Sequence, residues 1–273
     1  LRYHKYLIIG IILLSGAVAG SFWLQINGIR RVKRENLEQK QLSATTALAR
    51  DLELGFFLKY GNYVTSVSES VLLSRALQGK SVSLNNVLDL AWKSTAADIA
   101  YLLDRDGICI ASTGQDEKAA AMVGKSYKFR PYFQQAAKGK PYISFAAGVT
   151  TGKIGIYFSA PVRIENEVAG VFVLKVHPSY VRNTLESEEL PFVLVSKNGV
   201  VVASNREEWL YSGLYPLSRE LLNRLSTIRQ FEGVSLNREG ILPAELKSYD
   251  PSVQQGPIMW NYLCFTSLFS SIG

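Results

Sequence analysis

The sequence predicts an α+β protein in which a long N-terminal helical region precedes two modules built on antiparallel sheets. Residues 29–77 contain few helix breakers and have helical spacing of apolar residues. Beyond residue 99, short apolar segments alternate with Gly-containing turns, as strands and hairpins do. One hairpin pattern occurs twice, because Phe192–Asn205 matches Ala100–Thr113 as strand, polar-x-Gly turn, strand and Ala-Ser. This repeat predicts a second module of the same kind.

The first expected element is a transmembrane helix. Tyr6 to Leu24 contains no charged residue, and its length is close to the roughly 20 residues that span a bilayer. A cleaved signal peptide is the alternative, with Ala19 at the cleavage site. Apolar residues continue to Leu24, which favours an uncleaved anchor. The basic residues at the two ends do not decide the orientation by charge alone.

The helical region after the anchor contains an apolar stripe. Leu48, Leu52 and Phe56 follow one another at intervals of four residues, which places them on one helix face. The stripe either packs against a second copy of the chain or covers the core of its own domain. A further short helix is expected at Ser83–Lys93.

The first module is expected to contain a five-stranded antiparallel sheet with helices on it. Its predicted strands are 99–103, 108–111, 142–147, 154–164 and 168–177. A short helix at Pro131–Ala137 has Pro in its first turn and Gly139 just beyond its end, as helices often do. In the second module we expect a helix at Pro216–Ile228 and a late strand at Trp260–Phe269.

The segment from Lys125 to Lys175 concentrates hydroxyl groups and two cations among apolar residues. The candidate ligand-binding residues are Tyr127, Arg130, Tyr132, Thr150, Thr151, Tyr157, Ser159 and Lys175. Arg can hold one carboxylate bidentately and Lys offers a point charge to another, so the set suits a ligand with two carboxylates. In the alternative interpretation Arg130 is solvated and Lys175 extends out of its strand to water. A register shift of one residue would turn Lys175 to the opposite face.

Composition and the absence of known motifs argue against a nucleic-acid-binding protein, a zinc protein and an enzyme. The chain has 30 Lys and Arg and 23 Asp and Glu, a formal net charge of +7, but the basic residues are spread, so nucleic-acid binding is not expected. Cys109 and Cys264 lie too far apart for a Cys-based zinc site, and both are expected to be unpaired. No phosphate-binding loop, HExxH or G-x-S-x-G motif is present. We therefore expect no catalytic residue, metal or cofactor in this chain.

Several of the candidate ligand-binding residues belong to sequence pieces whose order and spacing match a known family. The matching pieces are Tyr127, Phe129–Phe133, Gly139, Gly148–Ser159 (G-x-T-T-x-x-x-G-x-Y-x-S), Pro161, Val162 and Gly170–Val176. They resemble the membrane-distal module of double-Cache (PAS-like) receptor ectodomains, most closely that of DctB-type C4-dicarboxylate sensor histidine kinases. Amino-acid-sensing relatives commonly have an Asp at the place of Lys175. A cation there would repel an ammonium group and favour a second carboxylate.

The resemblance implies a domain order and a cellular role. The expected regions are 1–28, cytoplasmic stub and transmembrane helix; 29–98, helical stalk; 99–178, distal ligand-binding module; and 179–273, an incomplete membrane-proximal module. Residues 29–273 would lie in the periplasm of a bacterial inner-membrane receptor, and a second span is expected after 273. The ligand would be succinate, fumarate or malate. The second module lacks the Arg, Tyr and Thr set, so a structural or relaying role is expected.

The resemblance also implies partners. A homodimer is expected, with a histidine kinase as output and a response regulator as partner, and ATP and Mg²⁺ would be needed only by a kinase region outside this chain. Alternatives are the ectodomain of a diguanylate cyclase or chemoreceptor for another organic acid or an amino acid, a ligand-free interaction module, and a secreted binding protein.

Overall fold

The computed structural model describes residues 2–80, 83–115, 117–149, 154–188, 191–241 and 262–264. The described residues fall into two units, 2–47 and the remainder. The first unit is helical throughout. Within the described part of the chain, no helix has both the length and the apolar character that a bilayer span requires. The predicted transmembrane helix is therefore not confirmed.

The predicted helical region consists of several consecutive elements. They are α1 (Arg2–Leu52), a π-helix (Glu53–Leu58), α2 (Lys59–Ser68), α3 (Val71–Leu77) and, after residues 81–82, α4 (Leu84–Lys93). The break before α3 occurs at Ser70, whose side chain accepts a hydrogen bond from the Leu73 amide at 3.2 Å, as an N-cap does. Leu52 and Phe56 are fully buried in the second unit. The apolar stripe thus covers the core of its own domain.

The first module contains the predicted five-stranded sheet. Its strands are β1 (Ile99–Asp104), β2 (Cys109–Gly114), β3 (Tyr142–Ala147), β4 (Ile154–Ile164) and β5 (Glu167–Val176). They lie in the order β2-β1-β5-β4-β3 and every neighbouring pair is antiparallel. A 3₁₀-helix (Glu117–Met122) and α5 (Pro131–Ala136) lie between β2 and β3 in the chain. The α+β class with an antiparallel sheet is confirmed for this module.

The two faces of this sheet bury different side chains. Successive strand residues point to opposite faces, and the register pairs Lys175 with Ile99 on β1 and with Tyr157 on β4. These three side chains therefore share one face. On the opposite face, Phe158 of β4 is fully buried against aromatic rings of the π-helix and α2, with centroid separations of 5.9 Å to Phe56 and 5.4 Å to Tyr60.

The second module repeats the hairpin but not the whole sheet. It contains α6 (Ser179–Glu186), β6 (Val193–Val195), β7 (Val201–Ser204), a 3₁₀-helix (Glu207–Trp209), α7 (Arg219–Thr227) and β8 (Tyr262–Cys264). β6 and β7 are antiparallel, as the repeat predicted, whereas β6 and β8 are parallel. The expectation of a purely antiparallel second sheet is therefore wrong. Because β7 runs antiparallel to β6, it ends at the end of the sheet from which β6 starts, and β8 begins at that same end.

The two modules are joined at the edge strand of the first sheet. The amide of Ala147, the last residue of β3, donates to the carbonyl of Gln230 at 2.7 Å. The Gln230 side chain, only 5% exposed, donates from Nε2 to the Phe145 carbonyl at 2.8 Å and accepts from Asn198 Nδ2 at 2.7 Å. The turn after α7 thus covers part of a strand edge that would otherwise present unpaired main-chain groups.

Replacing Phe158 by Ala should strongly destabilise the first module. The change removes a buried ring and leaves a cavity among the rings of the π-helix and α2, so the free energy of unfolding should fall by about 3–5 kcal/mol. Urea unfolding followed by circular dichroism measures this. Leu90→Ala is the control, because that side chain is 62% exposed and its loss should cost less than about 0.5 kcal/mol. Equal effects of the two changes would contradict the packing described.

Replacing Gln230 by Ala should weaken the junction between the modules. The buried Phe145 carbonyl would lose its donor and the Asn198 amide its acceptor, so we expect the free energy of unfolding to fall by about 1–3 kcal/mol. Gln134→Ala is the matched control, because Gln134 is exposed and its Nε2 donates to the Lys128 carbonyl at the longer distance of 3.3 Å. The same unfolding midpoint for both variants would show that the Gln230 side chain does not stabilise the junction.

Candidate functional site

A small cavity lies on the Lys175 face of the first sheet, between the sheet and the segment that leads into α5. Its lining residues are Ile99, Tyr101, Met122, Tyr127, Arg130, Tyr132, Gly148, Val149, Tyr157 and Lys175. The cavity volume is ≈ 10 Å³, which is about the space that one water molecule needs. Larger molecules could enter only if the walls moved apart.

The cavity brings together five of the predicted site residues: Tyr127, Arg130, Tyr132, Tyr157 and Lys175. Thr150 and Thr151 lie outside the described residues. Ser159 is 2% exposed but does not line the cavity. Its hydroxyl lies 3.0 Å from the Tyr132 carbonyl and 3.1 Å from the Tyr142 carbonyl, so it helps to hold α5 and β3 against β4.

Arg130 occupies the N-cap position of α5, just before Pro131. It is 1% exposed, which excludes the interpretation of a solvated surface residue. One terminal nitrogen donates to the Arg229 carbonyl of the second module at 2.8 Å, and the other donates to the Ala147 carbonyl of β3. The buried Nε has no hydrogen-bond partner among the described residues. Two bonds use two of the five N–H donors of a guanidinium, so Arg130 joins the modules and retains donors at the cavity.

Lys175 is likewise buried, with 3% of its surface exposed. Its position on β5 opposite Tyr157 directs it to the cavity face of the sheet, and the ammonium lies 5.9 Å from the centroid of the Tyr157 ring. This separation is at the upper end of the range for a cation–π interaction. The interpretation that Lys175 extends out to water does not hold.

The remaining walls are aromatic and neutral. Tyr132 and Tyr157 stack with ring centroids 5.0 Å apart and an interplanar angle of 7°, and the Tyr101 hydroxyl donates to the Tyr132 hydroxyl at 2.8 Å. Burial, the largest cause in each case, raises the pKa values of Tyr101, Tyr132 and Tyr157 above their ordinary value of 10.0. All three phenols are protonated at neutral pH, and Tyr132 and Tyr157 can donate hydrogen bonds to an anion.

The charged residues of the described lining are both basic, and the Asp98 carboxylate lies close enough to add to the effect of burial in raising the pKa of Tyr157. Arg130 and Lys175 are basic, and none of the other described lining residues is acidic. A cavity lined by one sign of charge and walled by low-dielectric groups attracts ions of opposite charge. Among the described residues, no group of three or more His, Cys, Asp or Glu side chains could hold a metal ion. The arrangement favours an anion that accepts several hydrogen bonds.

Sequence reasoning missed several lining residues: Ile99, Tyr101, Met122, Gly148 and Val149. Tyr101 had a usable signal, because it follows Ile99 by two positions in β1 and so points to the same face of the sheet. A hydroxyl inside a buried strand also requires a partner. Met122 lies at the end of the 3₁₀-helix and had no comparable pattern.

The buried tyrosines should make the protein less stable in alkali. Unfolded tyrosines lose their protons near pH 10, whereas the folded forms of Tyr101, Tyr132 and Tyr157 have raised pKa values. Above that pH the unfolded state binds fewer protons, so the free energy of unfolding should fall as the pH rises beyond about 10. Urea unfolding at pH 8 to 11.5, with phenolate absorbance recorded in parallel, measures this. Tyr157→Phe should make the fall less steep, and reversible titration of all tyrosines near pH 10 in the folded state would contradict their burial.

Comparison with known proteins shows what the chain is similar to. No protein-family model matches it. The "C4-dicarboxylate transport sensor protein DctB" of Pseudomonas aeruginosa is 26% identical over 221 residues, which cover 79% of this chain and 36% of that protein. The protein of the same name from Rhizobium meliloti is 27% identical over 147 residues, which cover 54% of this chain and 23% of that protein. The chain thus matches well under half the length of either relative.

A solved structure of a sensor domain has a similar fold. The sensor domain of the V. cholerae histidine kinase DctB superimposes with a TM-score of 0.63 at 26% sequence identity, covering 74% of this chain and 78% of that one. The chain is therefore similar in sequence to two DctB sensor proteins and in fold to a DctB sensor domain, which confirms the predicted resemblance.

Proposed function

We propose that this chain is the periplasmic sensing region of a bacterial inner-membrane sensor histidine kinase and that it binds a C4-dicarboxylate in its first module. The main observation in support is the cavity itself, in which two buried cations and neutral tyrosines converge without an acidic residue in the described lining. The names of the relatives agree with this ligand class.

Each lining group has a role in this proposal. Arg130 binds one carboxylate of succinate, fumarate or malate through N–H donors that its carbonyl contacts leave available. Lys175 binds the other carboxylate. Tyr127, Tyr132 and Tyr157 donate hydrogen bonds, Thr150 or Thr151 contributes a further hydroxyl, and Ser159 supports α5 from beneath.

Ligand binding would be coupled to movement. Because the cavity has room for about one water molecule, a four-carbon diacid requires α5 and the residues after β3 to move away from the sheet. Arg130 also donates to the Arg229 carbonyl of the second module. A ligand that binds the Arg130 guanidinium would therefore compete with, or shift, a hydrogen bond between the modules. A ligand that binds the opened state better would shift the population toward it.

The wider assignment follows from the relatives by analogy. Residues 99–178 would be the distal and 179–273 the proximal module of a receptor anchored through its N-terminal segment, active as a homodimer. The output would be a histidine kinase, which uses ATP and Mg²⁺ and transfers phosphate to a response regulator. The same kind of ectodomain on a diguanylate cyclase or chemoreceptor would bind its ligand in the same way.

A second candidate function is a ligand-free interaction module. The small volume of the cavity favours it, because tyrosine and methionine side chains fill the space that a ligand would occupy. In that case the two cations would be structural, and the module would respond to a partner protein.

Binding measurements separate the two candidates. The 273-residue chain in a mild non-ionic detergent should show a higher unfolding temperature with succinate or malate, and at about 100 times the dissociation constant the ligand should add ~2.7 kcal/mol of stability. Butyrate and alanine serve as controls for one carboxylate and for an ammonium group. A rise with dicarboxylates only is the expected result, and no rise with any compound would favour the interaction module.

Removal of one cation should weaken binding selectively. Lys175→Met keeps the aliphatic stem and should lower the affinity for succinate by roughly ten-fold or more, since hydrogen bonds to charged groups contribute about 1.5–3 kcal/mol. Affinity for butyrate should change little. Lys140→Met, at an exposed position, is the matched control, and calorimetric titration measures all three proteins. Unchanged succinate affinity in Lys175→Met would exclude Lys175 from the site.

A further inference from the structure

The Lys175 side chain lies across a glycine of the neighbouring strand. Gly155 is buried in β4, two residues before Tyr157, which pairs with Lys175. Gly155 is therefore a diagonal neighbour of Lys175 on the same face of the sheet. A methyl carbon at Gly155 would lie 2.5 Å from Cε, 2.8 Å from Cγ and 3.2 Å from Cδ of Lys175. These distances are well inside the 3.5–4.0 Å of an ordinary carbon–carbon contact.

Gly155 differs from other glycines of the same sheet. At Gly114 and Gly170 an added carbon would first meet main-chain oxygens, those of Asp98 at 2.5 Å and of Leu103 at 2.6 Å. At Gly155 the three nearest atoms all belong to the Lys175 side chain. Gly155 does not have a positive φ, so its backbone conformation is open to any residue. Space for the lysine stem is what distinguishes this position.

The location of that stem decides where the ammonium lies. Lys175 lines the cavity together with Tyr157; its stem lies over Gly155, and its ammonium lies 5.9 Å from the centroid of the Tyr157 ring. A side chain at 155 would push the stem off β4 and with it the ammonium. Such a movement would weaken a charge-assisted hydrogen bond from the ammonium, because these bonds require short, aligned contacts.

We propose that Gly155 is a positioning residue that determines ligand selectivity: by leaving room for the Lys175 stem, it places the ammonium where it meets a second carboxylate. The inference rests on the proposed dicarboxylate site. A chain with a larger residue at this position would discriminate poorly between a dicarboxylate and a monocarboxylate of the same length, even with Lys at 175.

Calorimetric titration of succinate and butyrate into four proteins tests this: the unmodified chain, Gly155→Ala, Lys175→Met and the double variant Gly155→Ala/Lys175→Met. We expect the unmodified chain to prefer succinate. Gly155→Ala should lower that preference by roughly ten-fold, and the double variant should be no worse than Lys175→Met alone, because Gly155 acts through the lysine. Gly61→Ala is the control, since an added carbon there meets nothing within 4 Å.

The outcomes distinguish the inference from the function on which it rests. If the unmodified chain does not bind succinate, the proposed function is wrong. If it binds, and Lys175→Met loses the preference while Gly155→Ala keeps it, the positioning role is wrong.

A stability comparison needs no ligand and covers the case in which Gly155→Ala folds poorly. Gly155→Ala/Lys175→Ala removes the opposing stem and should be as stable as Lys175→Ala. Equal destabilisation by Gly155→Ala in the presence and absence of the lysine stem would overturn the inference.

Discussion

The burial of the Arg130 guanidinium is the interaction on which both the cavity and the module junction depend. A charged group leaves water at a large cost unless hydrogen bonds replace its hydration. Here two main-chain carbonyls, Ala147 of the first module and Arg229 of the second, accept from its terminal nitrogens, and the Phe129 ring lies 5.2 Å from its central carbon. The start of α5, the end of β3 and the turn after α7 must all keep their positions for these contacts to form. The cavity wall and the junction are therefore parts of one hydrogen-bonded arrangement.

The chemistry of the cavity follows from what surrounds its two cations. Apart from Arg130 and Lys175, the described lining consists of tyrosines and small or apolar residues. The phenols are protonated at neutral pH, and burial raises their pKa values further, so they add donors without adding negative charge. The sheet provides the precise spacing, because Tyr157 and Lys175 are register partners and Gly155 leaves the diagonal position open. Each of these features favours an anionic ligand.

Local patterns in the sequence predicted the five-stranded sheet because strand alternation and Gly-containing turns are short-range signals. They also identified Arg130 and Lys175, since cations within apolar segments are unusual. The contacts of Arg130 could not be predicted, because its partner at Arg229 lies 99 residues away in the chain. The π-helix at Glu53–Leu58 and the parallel pairing of β6 with β8 depend on tertiary packing in the same way. Tyr101 lies outside the Lys125–Lys175 segment in which the hydroxyl groups and cations cluster, so only its strand position places it on the cavity face.

A crystal structure of the 273-residue chain grown with saturating succinate would show whether Arg130 and Lys175 hold the two ends of one ligand. We expect one carboxylate within hydrogen-bond distance of the Arg130 guanidinium, the other at the Lys175 ammonium, and a cavity larger than its present ≈ 10 Å³. Succinate bound elsewhere, or a cavity that stays closed around its own side chains at saturation, would contradict it.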